Sequence, residues 1–157
     1  VEVFFANNQI LFRSEHISFY TRLLEGNYPD TDRLIPTEFN TEATFNVANL
    51  RFAMERARLL SNATQNGTVK LEFKNGVVSS HVHSPEVGRV NEEIDTSAVS
   101  GEDLSISFNP TYLIEALKAI DSEQVVIRFI SSVRPFTLVP EGNEQGFIQL
   151  ITPVRTN

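Results

Sequence analysis

The sequence predicts an α+β fold that contains a duplicated β-α-β-β-β unit. Two segments, residues 48–61 and residues 110–120, repeat apolar side chains at helical spacing. The two helix starts lie about sixty residues apart, and one strand pattern precedes and roughly three follow each helix. Strands joined by short turns favour antiparallel sheets. We therefore expect two helices packed on one face of curved antiparallel sheets.

Length and composition limit the chain to one full domain and a fragment of another. With 157 residues and 41% apolar content, it can bury one sizeable core. The absence of cysteine excludes disulfide, thiol and zinc-thiolate chemistry and is compatible with a reducing cytosol. The sequence has no run of about 18 apolar residues and no signal-peptide pattern. We predict a cytoplasmic location.

Short alternating strands open the chain without a helix among them. Residues 1–13 predict a hairpin with a turn at Asn7 and Asn8, and residues 17–23 predict a third strand. Three strands with no covering helix leave one sheet face bare. We therefore expect the rest of this unit to precede Val1.

A linker separates these strands from the repeated unit. Pro29 and Pro36 stiffen its backbone and remove two amide donors, and Arg33 stands next to the apolar Leu34. Such a segment presents a charge and an apolar group side by side. The predicted parts are, in order, the end of a truncated preceding domain, an interdomain linker and a C-terminal domain: residues 1–26, 27–40 and 41–157.

The first predicted helix, residues 48–61 after a strand at residues 43–47, has two apolar strips. Phe52 and Leu59 lie seven residues apart, opposite the core strip. A helix with two apolar strips usually has two partners. The core strip contains Leu50, Ala53, Met54, Ala57 and Leu60, and a polar face contains Arg51, Glu55, Arg58 and Asn62.

The clearest hairpin follows, with strands at residues 69–73 and 77–83 around the turn Lys74-Asn75-Gly76. Further strands are predicted at residues 87–94 and 104–108. Asn109 then caps the second helix and Pro110 starts it. The core residues of that helix are Leu113, Ala116, Leu117 and Ile120, and the last strands are predicted at residues 125–130, 135–139 and 147–151.

Candidate catalytic and metal-binding groups are sparse. His81 and His83 share one face of a strand, as a metal pair or a solvent-facing pair; without a third ligand we favour the solvent-facing pair. Glu92, Glu93 and Asp95 form no acid and base pair, because neighbours on a strand alternate faces. No glycine-rich phosphate loop and no nucleophile motif occurs. We predict that the protein is not an enzyme and uses neither cofactor nor metal.

The net charge of −7 argues against a general nucleic-acid binder, although it allows a local basic face. Arg51, Arg58 and Lys118 lie on outward helix faces, where Glu55 and Glu115 dilute their charge. From the residues alone we favour a solvated face. The 12 Phe residues, with no Trp, indicate a packed core rather than a surface that stacks bases.

Three segments together resemble the bacterial sliding clamp, the beta subunit of DNA polymerase III. They are the linker with Tyr28-Pro29-Asp30 and Arg33-Leu34-Ile35-Pro36, the helix end Arg58-Leu59-Leu60-Ser61-Asn62, and the chain end Leu150-Ile151-Thr152-Pro153-Val154-Arg155. The resemblance covers nearly the whole chain. It departs from the family at Thr152, where larger apolar residues are frequent, and at Thr156 and Asn157, which extend past the usual Arg end.

The resemblance implies a DNA-clamp-like domain of a DNA polymerase processivity factor. In this family a homodimeric ring encircles duplex DNA without reading its sequence, and polymerase, clamp loader and repair proteins bind one groove through short linear peptides. The implied DNA-facing residues are Arg51, Arg58 and Lys118. The implied subunit interface contains Leu59 and Leu60, and the second apolar strip of the helix adds Phe52 to it. The implied peptide-binding residues are Pro29, Arg33, Leu34, Leu150, Thr152, Pro153, Val154 and Arg155.

A function of a different class stays open, that of a stand-alone β-rich module that binds peptides and has no DNA role. The discriminating feature is the sequence upstream of Val1. A clamp needs two further similar domains there, whereas an isolated module does not.

Overall fold

The computed structural model of the protein describes residues 1–28, 30–61, 67–84, 88–142 and 146–155. The chain divides into two units, Val1–Asp32 and Arg33–Asn157. The boundary falls inside the segment predicted to be a linker. The three predicted domain ranges stay predictions. Neither helix within the described residues has the length and apolarity that a membrane crossing needs.

The first unit is a three-stranded antiparallel sheet with little core of its own. Its strands are β1 (Glu2–Phe5), β2 (Gln9–Arg13) and β3 (Ser18–Arg22), in the order β1-β2-β3. Every residue of β1 and β3 is exposed, and only the centre of β2 is half-buried. The predicted hairpin and third strand are confirmed, the third strand being shorter than expected.

The second unit begins its repeat with β4 (Thr41–Asn46) and α1 (Val47–Ser61). Asn46 caps the helix, because its Oδ1 accepts a hydrogen bond from the backbone N–H of Asn49 at 3.0 Å. The prediction of a strand reaching Val47 was therefore wrong by one residue. Leu50, Ala53, Met54, Ala57 and Ser61 are buried, and Leu60 packs against the core while half-buried.

A meander follows α1: β5 (Val69–Lys74), β6 (Val77–Ser84) and β7 (Gly88–Ile94). Asn75 and Gly76 have φ values of 52° and 77°, as a two-residue hairpin turn with both central residues left-handed requires. Asn is one of the few side chains that tolerates this conformation. The predicted hairpin is confirmed, while Val87, predicted to begin the next strand, lies outside the described residues.

A short strand, β8 (Ala98–Gly101), was not predicted, and β9 (Leu104–Phe108) follows it. The sequence Ala-Val-Ser-Gly has too few apolar residues to show an alternation, so its pairing with β4 carries the assignment. Gly101 has φ 99°, and a Cβ there would stand 2.0 Å from the carbonyl oxygen of Asn40. This close approach of two backbones requires glycine.

The second repeat contains α2 (Pro110–Lys118), β10 (Gln124–Phe129), β11 (Phe136–Pro140) and β12 (Gln149–Ile151). Asn109 caps α2, since its Oδ1 accepts the Thr111 N–H at 2.9 Å. The predicted cap, first proline and strands are confirmed within two residues at their ends. The predicted core residues of this helix are all buried: Leu113, Ala116, Leu117 and Ile120. Ile114, which was not predicted, is buried with them.

The two repeats exchange their leading strands. In this unit the first sheet has the order β12-β11-β10-β4-β8 and the second sheet the order β7-β6-β5-β9. Thus β4, which precedes α1, pairs with β10, and β9, which precedes α2, pairs with β5. The two helices contact each other, and α1 also packs on β6. Aromatic rings from both sheets meet in the shared core, with Phe73 and Phe129 centroids 4.9 Å apart.

Candidate functional site

One concavity of about 380 Å³ brings together part of the predicted peptide-binding set. Leu150 and Thr152 line it at the end of β12, and α2 supplies the opposite wall. We call this concavity the tail groove; its residues are Tyr112, Glu115, Ala116, Gln149, Leu150, Ile151 and Thr152. The groove has an apolar floor with the carboxylate of Glu115 at its rim, an arrangement suited to an apolar anchor with polar surroundings.

The chain after β12 is held against the second sheet. The backbone N–H of Val154 donates a hydrogen bond to the carbonyl oxygen of Ser107 in β9 at 2.7 Å. Pro153 is half-buried, and Val154 and Arg155 are exposed. We call residues 152–155 the tail. It therefore runs from the tail groove to the edge of β9.

Arg33 and Leu34 are both exposed. They lie at the end of a 3-10 turn, Thr31–Arg33, and just after it. Pro29 lies outside the described residues. The convergence of these three residues with the tail is a proposal, whereas Leu150 and Thr152 share the tail groove.

Tyr112, which was not among the predicted site residues, is 60% exposed and lines the tail groove. It lies off the core strip of α2, next to the buried Leu113. An exposed aromatic side chain in the first turn of a capped helix is the signal that marks it, since large exposed aromatic residues are frequent binding anchors. Its neighbours in the groove come from β12, about forty residues later in the chain, which no local pattern reveals.

The second apolar strip of α1 is exposed, as the sequence predicts. Phe52 is 49% and Leu59 70% exposed, whereas Leu60 is half-buried against the core. Leu59 is consequently the better placed of the two leucines for contact with another molecule. An unpartnered pair of large apolar side chains on one helix face is a candidate interface.

Acidic residues of β7, and Asp95 just after it, lie beside Phe52. Phe52 and Arg56 line a concavity of about 230 Å³ together with Glu92, Glu93 and Asp95. Arg56 forms an ion pair with Glu92, and the hydrogen bond between them raises the pKa of the guanidinium. We call Phe52, Leu59 and β7 the seam surface. Among the described strands β7 pairs with β6 alone, so its other edge offers unpaired backbone groups.

The three predicted DNA-facing cations lie on the two contacting helices. Arg51 is 3.7 Å from Glu55 and its guanidinium lies over the Phe52 ring, 5.3 Å from the centroid. Lys118 donates to Glu115 at 2.8 Å. Arg58 is half-buried. With carboxylates beside two of the three cations, this face suits weak contact with phosphates rather than tight binding.

The two candidate metal ligands share the outward face of β6 but have different surroundings. His81 Nδ1 lies 2.8 Å from Asn91 Oδ1, and its Nε2 lies 2.9 Å from Ser79 Oγ. His83 is exposed. Within the described ranges no group of three His, Cys, Asp or Glu side chains is placed to hold a metal ion. The neighbours of His81 are those of a hydrogen-bonded surface histidine.

Most of the second unit matches a known protein family. The sequence profile of the DNA polymerase III beta subunit, C-terminal domain, matches residues 32–155. The chain belongs to the DNA polymerase III beta subunit family. A relative in this beta-subunit family, the beta sliding clamp of Streptococcus pneumoniae serotype 4, is 80% identical over 157 residues, which are 100% of this chain and 42% of that protein. The predicted resemblance is confirmed.

Solved structures of the beta-subunit family have the same fold. The beta chain from Streptococcus pneumoniae TIGR4 has a TM-score of 0.91 and 79% identity, covering 98% of this chain and 41% of that one. The beta subunit from Streptococcus pyogenes has a TM-score of 0.89 and 72% identity, covering 99% of this chain and 42% of that one. The predicted α+β clamp fold is confirmed. The chain spans about two fifths of the length of these relatives.

Proposed function

We propose that this chain is the C-terminal part of a ring-forming sliding clamp, a processivity factor that holds DNA polymerase on duplex DNA. The observation that carries the proposal is the family match together with two contacting helices that bear Arg51, Arg58 and Lys118. Helices that present scattered cations to a central hole contact phosphates without reading bases. The protein acts in the cytoplasm, where DNA replication takes place.

Topology rather than charge holds the protein on DNA in this proposal. The chain has a net charge of −7, and Glu55 and Glu115 neutralise part of the helix charge. Tight electrostatic binding of duplex DNA needs several Lys or Arg side chains that are free to contact phosphates. The 157-residue chain alone should therefore bind linear duplex barely at physiological salt, as fluorescence anisotropy would measure. Tight, sequence-dependent binding by the chain alone would contradict the clamp function.

The subunit interface in this proposal is the seam surface. Phe52 and Leu59 supply the apolar centre, and Leu60 supports them from the core side. The free edge of β7 accepts a strand of the next subunit, which extends the second sheet across the interface. The carboxylates of Glu93 and Asp95 favour a basic surface opposite them. The full-length protein closes head to tail as a homodimer.

The tail groove, in this proposal, receives short linear peptides of polymerase, clamp loader and repair proteins. A Leu or Phe anchor enters between Tyr112 and Leu150, while Arg33 and Arg155 attract the polar or acidic part of the peptide. Thr152 lines the groove, and Pro153 and Val154 continue it toward β9. Pro29 and Leu34 are the remaining members of the peptide-binding set in this proposal.

The chain supplies scaffold and binding surfaces rather than catalysis. Its candidate groups form a hydrogen-bonded histidine beside an exposed one, and acidic residues on a strand edge. The proposal includes no metal site, and a metal titration followed by calorimetry tests that part of it. Stoichiometric zinc binding that is lost in His81→Ala and His83→Ala would refute it.

Release from linear DNA tests the clamp function directly. Labelled full-length protein is loaded by the clamp loader and ATP onto nicked circular duplex, and the complex is isolated by gel filtration. The protein should stay on the circle and leave within minutes once a restriction enzyme linearises the DNA, because only a closed circle retains a ring. The control is the same plasmid without the restriction site.

Equal retention on circular and linear DNA would show binding by contact and refute the clamp function. Failure to load on the circle at all, together with intact peptide binding, would support the stand-alone module instead.

A further inference from the structure

The outward face of the second sheet separates its charges into rows. In the strand register Lys70 lies opposite His81 on one side and Ser107 on the other, and His83 lies opposite Arg89. The next row along the strands holds carboxylates instead, with Glu72 and Glu93 both opposite Ser79. One end of this sheet face is therefore basic. It lies outside the tail groove, and Arg89 is the residue of it that also belongs to a strand of the seam surface.

We call Lys70, His81, His83 and Arg89 the basic face. They line a concavity of about 430 Å³ whose remaining residues are neutral: Thr68, Val82, Asn91 and Ser107. No carboxylate of the described residues lines it. The side chains of His83 and Arg89 form no ion pair or hydrogen bond with any residue in the described ranges. A chain with a net charge of −7 thus concentrates donors and cations in one place.

Among the described residues the carboxylate of Glu72 opposes this charge from the neighbouring row. It lies 3.6 Å from Lys70 Nζ and 3.5 Å from His81 Nε2. Since the Lys70 side chain is 47% exposed, the solvent screens this ion pair. Lys70 and Arg89 remain available to an incoming anionic group, and Glu72 weakens the site without closing it.

The basic face is continuous with the tail. Ser107 lines its concavity, and the carbonyl oxygen of the same residue accepts the hydrogen bond from the N–H of Val154. Strands in a sheet lie about 4.8 Å apart, so the face extends roughly 14 Å from β9 to β7. An extended peptide that leaves the tail groove crosses that distance with about four or five residues.

The geometry points to a binding surface for acidic protein segments: we propose that the basic face receives an acidic stretch of the partner whose apolar anchor occupies the tail groove. The proposal rests on the peptide-binding role proposed for that groove. The face lies on the side of the sheet away from α1, because the residues that alternate with it, Val78 and Val82, are buried toward the core. An encircled duplex is consequently not its ligand.

Two synthetic peptides test the proposal on the full-length protein. Both carry fluorescein and a Leu-Phe anchor; one has a flank of four Glu residues and the other a flank of four Ser residues. The acidic peptide should bind roughly three- to ten-fold tighter in 50 mM salt, the effect of two exposed ion pairs. Because exposed charges are screened, the difference should shrink in 500 mM salt.

Charge-matched variants locate the effect. Lys70→Gln with Arg89→Gln should abolish the advantage of the acidic peptide. Lys74→Gln with Arg134→Gln removes the same amount of charge elsewhere and should leave the advantage of the acidic peptide unchanged. Lys74 lies about 13 Å from Lys70 on the same face of the strand. Glu72→Gln should increase the advantage. Melting temperatures of all variants verify folding.

The outcomes separate the two proposals. Equal binding of both peptides to the wild type, or an advantage that survives in the Lys70 and Arg89 variant, overturns the basic face. A single-stranded oligothymidylate that binds this face while the acidic flank gives no advantage also overturns it, in favour of a nucleic-acid surface. The tail groove fails independently if deletion of residues 153–157 leaves the affinity of the neutral peptide unchanged.

Discussion

The two repeats of the second unit begin alike and end differently. Each helix follows directly on an asparagine cap, Asn46 before α1 and Asn109 before α2. Yet α1 has 15 residues and exposes a second apolar strip, whereas α2 has 9 residues and exposes Tyr112 in its first turn. Within the described part of the chain, the first repeat alone has a fourth strand after its helix, β8, whose Gly101 fits against the backbone of Asn40.

This difference shows how one duplicated unit can serve two surfaces. The longer α1 exposes Leu59 near its end and places Phe52 beside β7, which among the described strands is an end strand of the second sheet. The short α2 instead places Tyr112 beside β12, where the first sheet has a free edge and the tail begins. The core is common to both repeats, and the exposed aromatic and aliphatic residues are specific to each.

The largest expected effect concerns the strand that only the first repeat has. Gly101→Ala should lower the free energy of unfolding by about 3 to 5 kcal/mol, because the new Cβ would overlap the Asn40 carbonyl and the left-handed backbone would be strained. Gly142 in the second repeat has φ 78° and open space where a Cβ would lie. Gly142→Ala should therefore lower the free energy of unfolding by only about 1 kcal/mol. Urea denaturation measures both, and equal losses would show that the close approach at Gly101 is unimportant.

A second test removes the exposed strip of α1. Leu59→Ala with Leu60→Ala in the full-length protein should weaken the dimer, since a buried Leu side chain contributes about 1.5 to 3 kcal/mol to association. Leu59→Ala is the cleaner single change because Leu60 also supports the core. Sedimentation at nanomolar concentration measures the dissociation.

The control for this test is Val133→Ala, which changes an exposed apolar residue in the connection between β10 and β11. It should leave the dimer intact. If the double leucine variant is also still dimeric at nanomolar concentration, the subunit interface lies elsewhere.

The corresponding test in the second repeat is Tyr112. Tyr112→Ala should reduce the affinity for a labelled polymerase tail peptide about ten-fold, because truncating an aromatic anchor in a groove typically costs over 1 kcal/mol. Tyr112→Phe retains the ring and should bind almost normally. Fluorescence anisotropy with the full-length protein measures both affinities. If the Ala variant binds the peptide like the wild type, the ring has no role as an anchor.

The smallest effect concerns what the repeats share. Asn46→Ala and Asn109→Ala should each lower the free energy of unfolding by about 1 kcal/mol, because each leaves a helix N–H group without its side-chain acceptor. Serine at either position retains an acceptor and should restore most of the loss. Thermal denaturation that finds one cap far more important than the other would break the equivalence of the two helix starts.

Local chemistry explains why so much of the fold was predictable. The Asn75-Gly76 turn, the Asn109 cap and the apolar period of α1 each act over a few residues, so the sequence displays them directly. Asn46 escaped notice because the strand alternation runs into the helix without a break. The short β8 escaped because four small residues carry no period.

The candidate surfaces were predictable only in part. The strip of Phe52 and Leu59 follows from helical spacing alone, and its exposure is confirmed. The contributions of Tyr112 and Arg56 were missed, because their neighbours Leu150 and Glu92 lie more than thirty residues away in the chain. The peptide-binding set as a whole came from family resemblance rather than from the physical pattern.

By itself the sequence determined the fold class, the two helices with their core faces, and the absence of local motifs for catalysis. These follow from periodicity, capping and composition, which act within a window of a few turns. Only the tertiary structure decided that β4 joins the strands of the second repeat and β9 those of the first, and that the tail reaches Ser107. Such pairings join residues as far apart as Thr41 and Phe129, and their energy comes from a shared core that no short segment can specify.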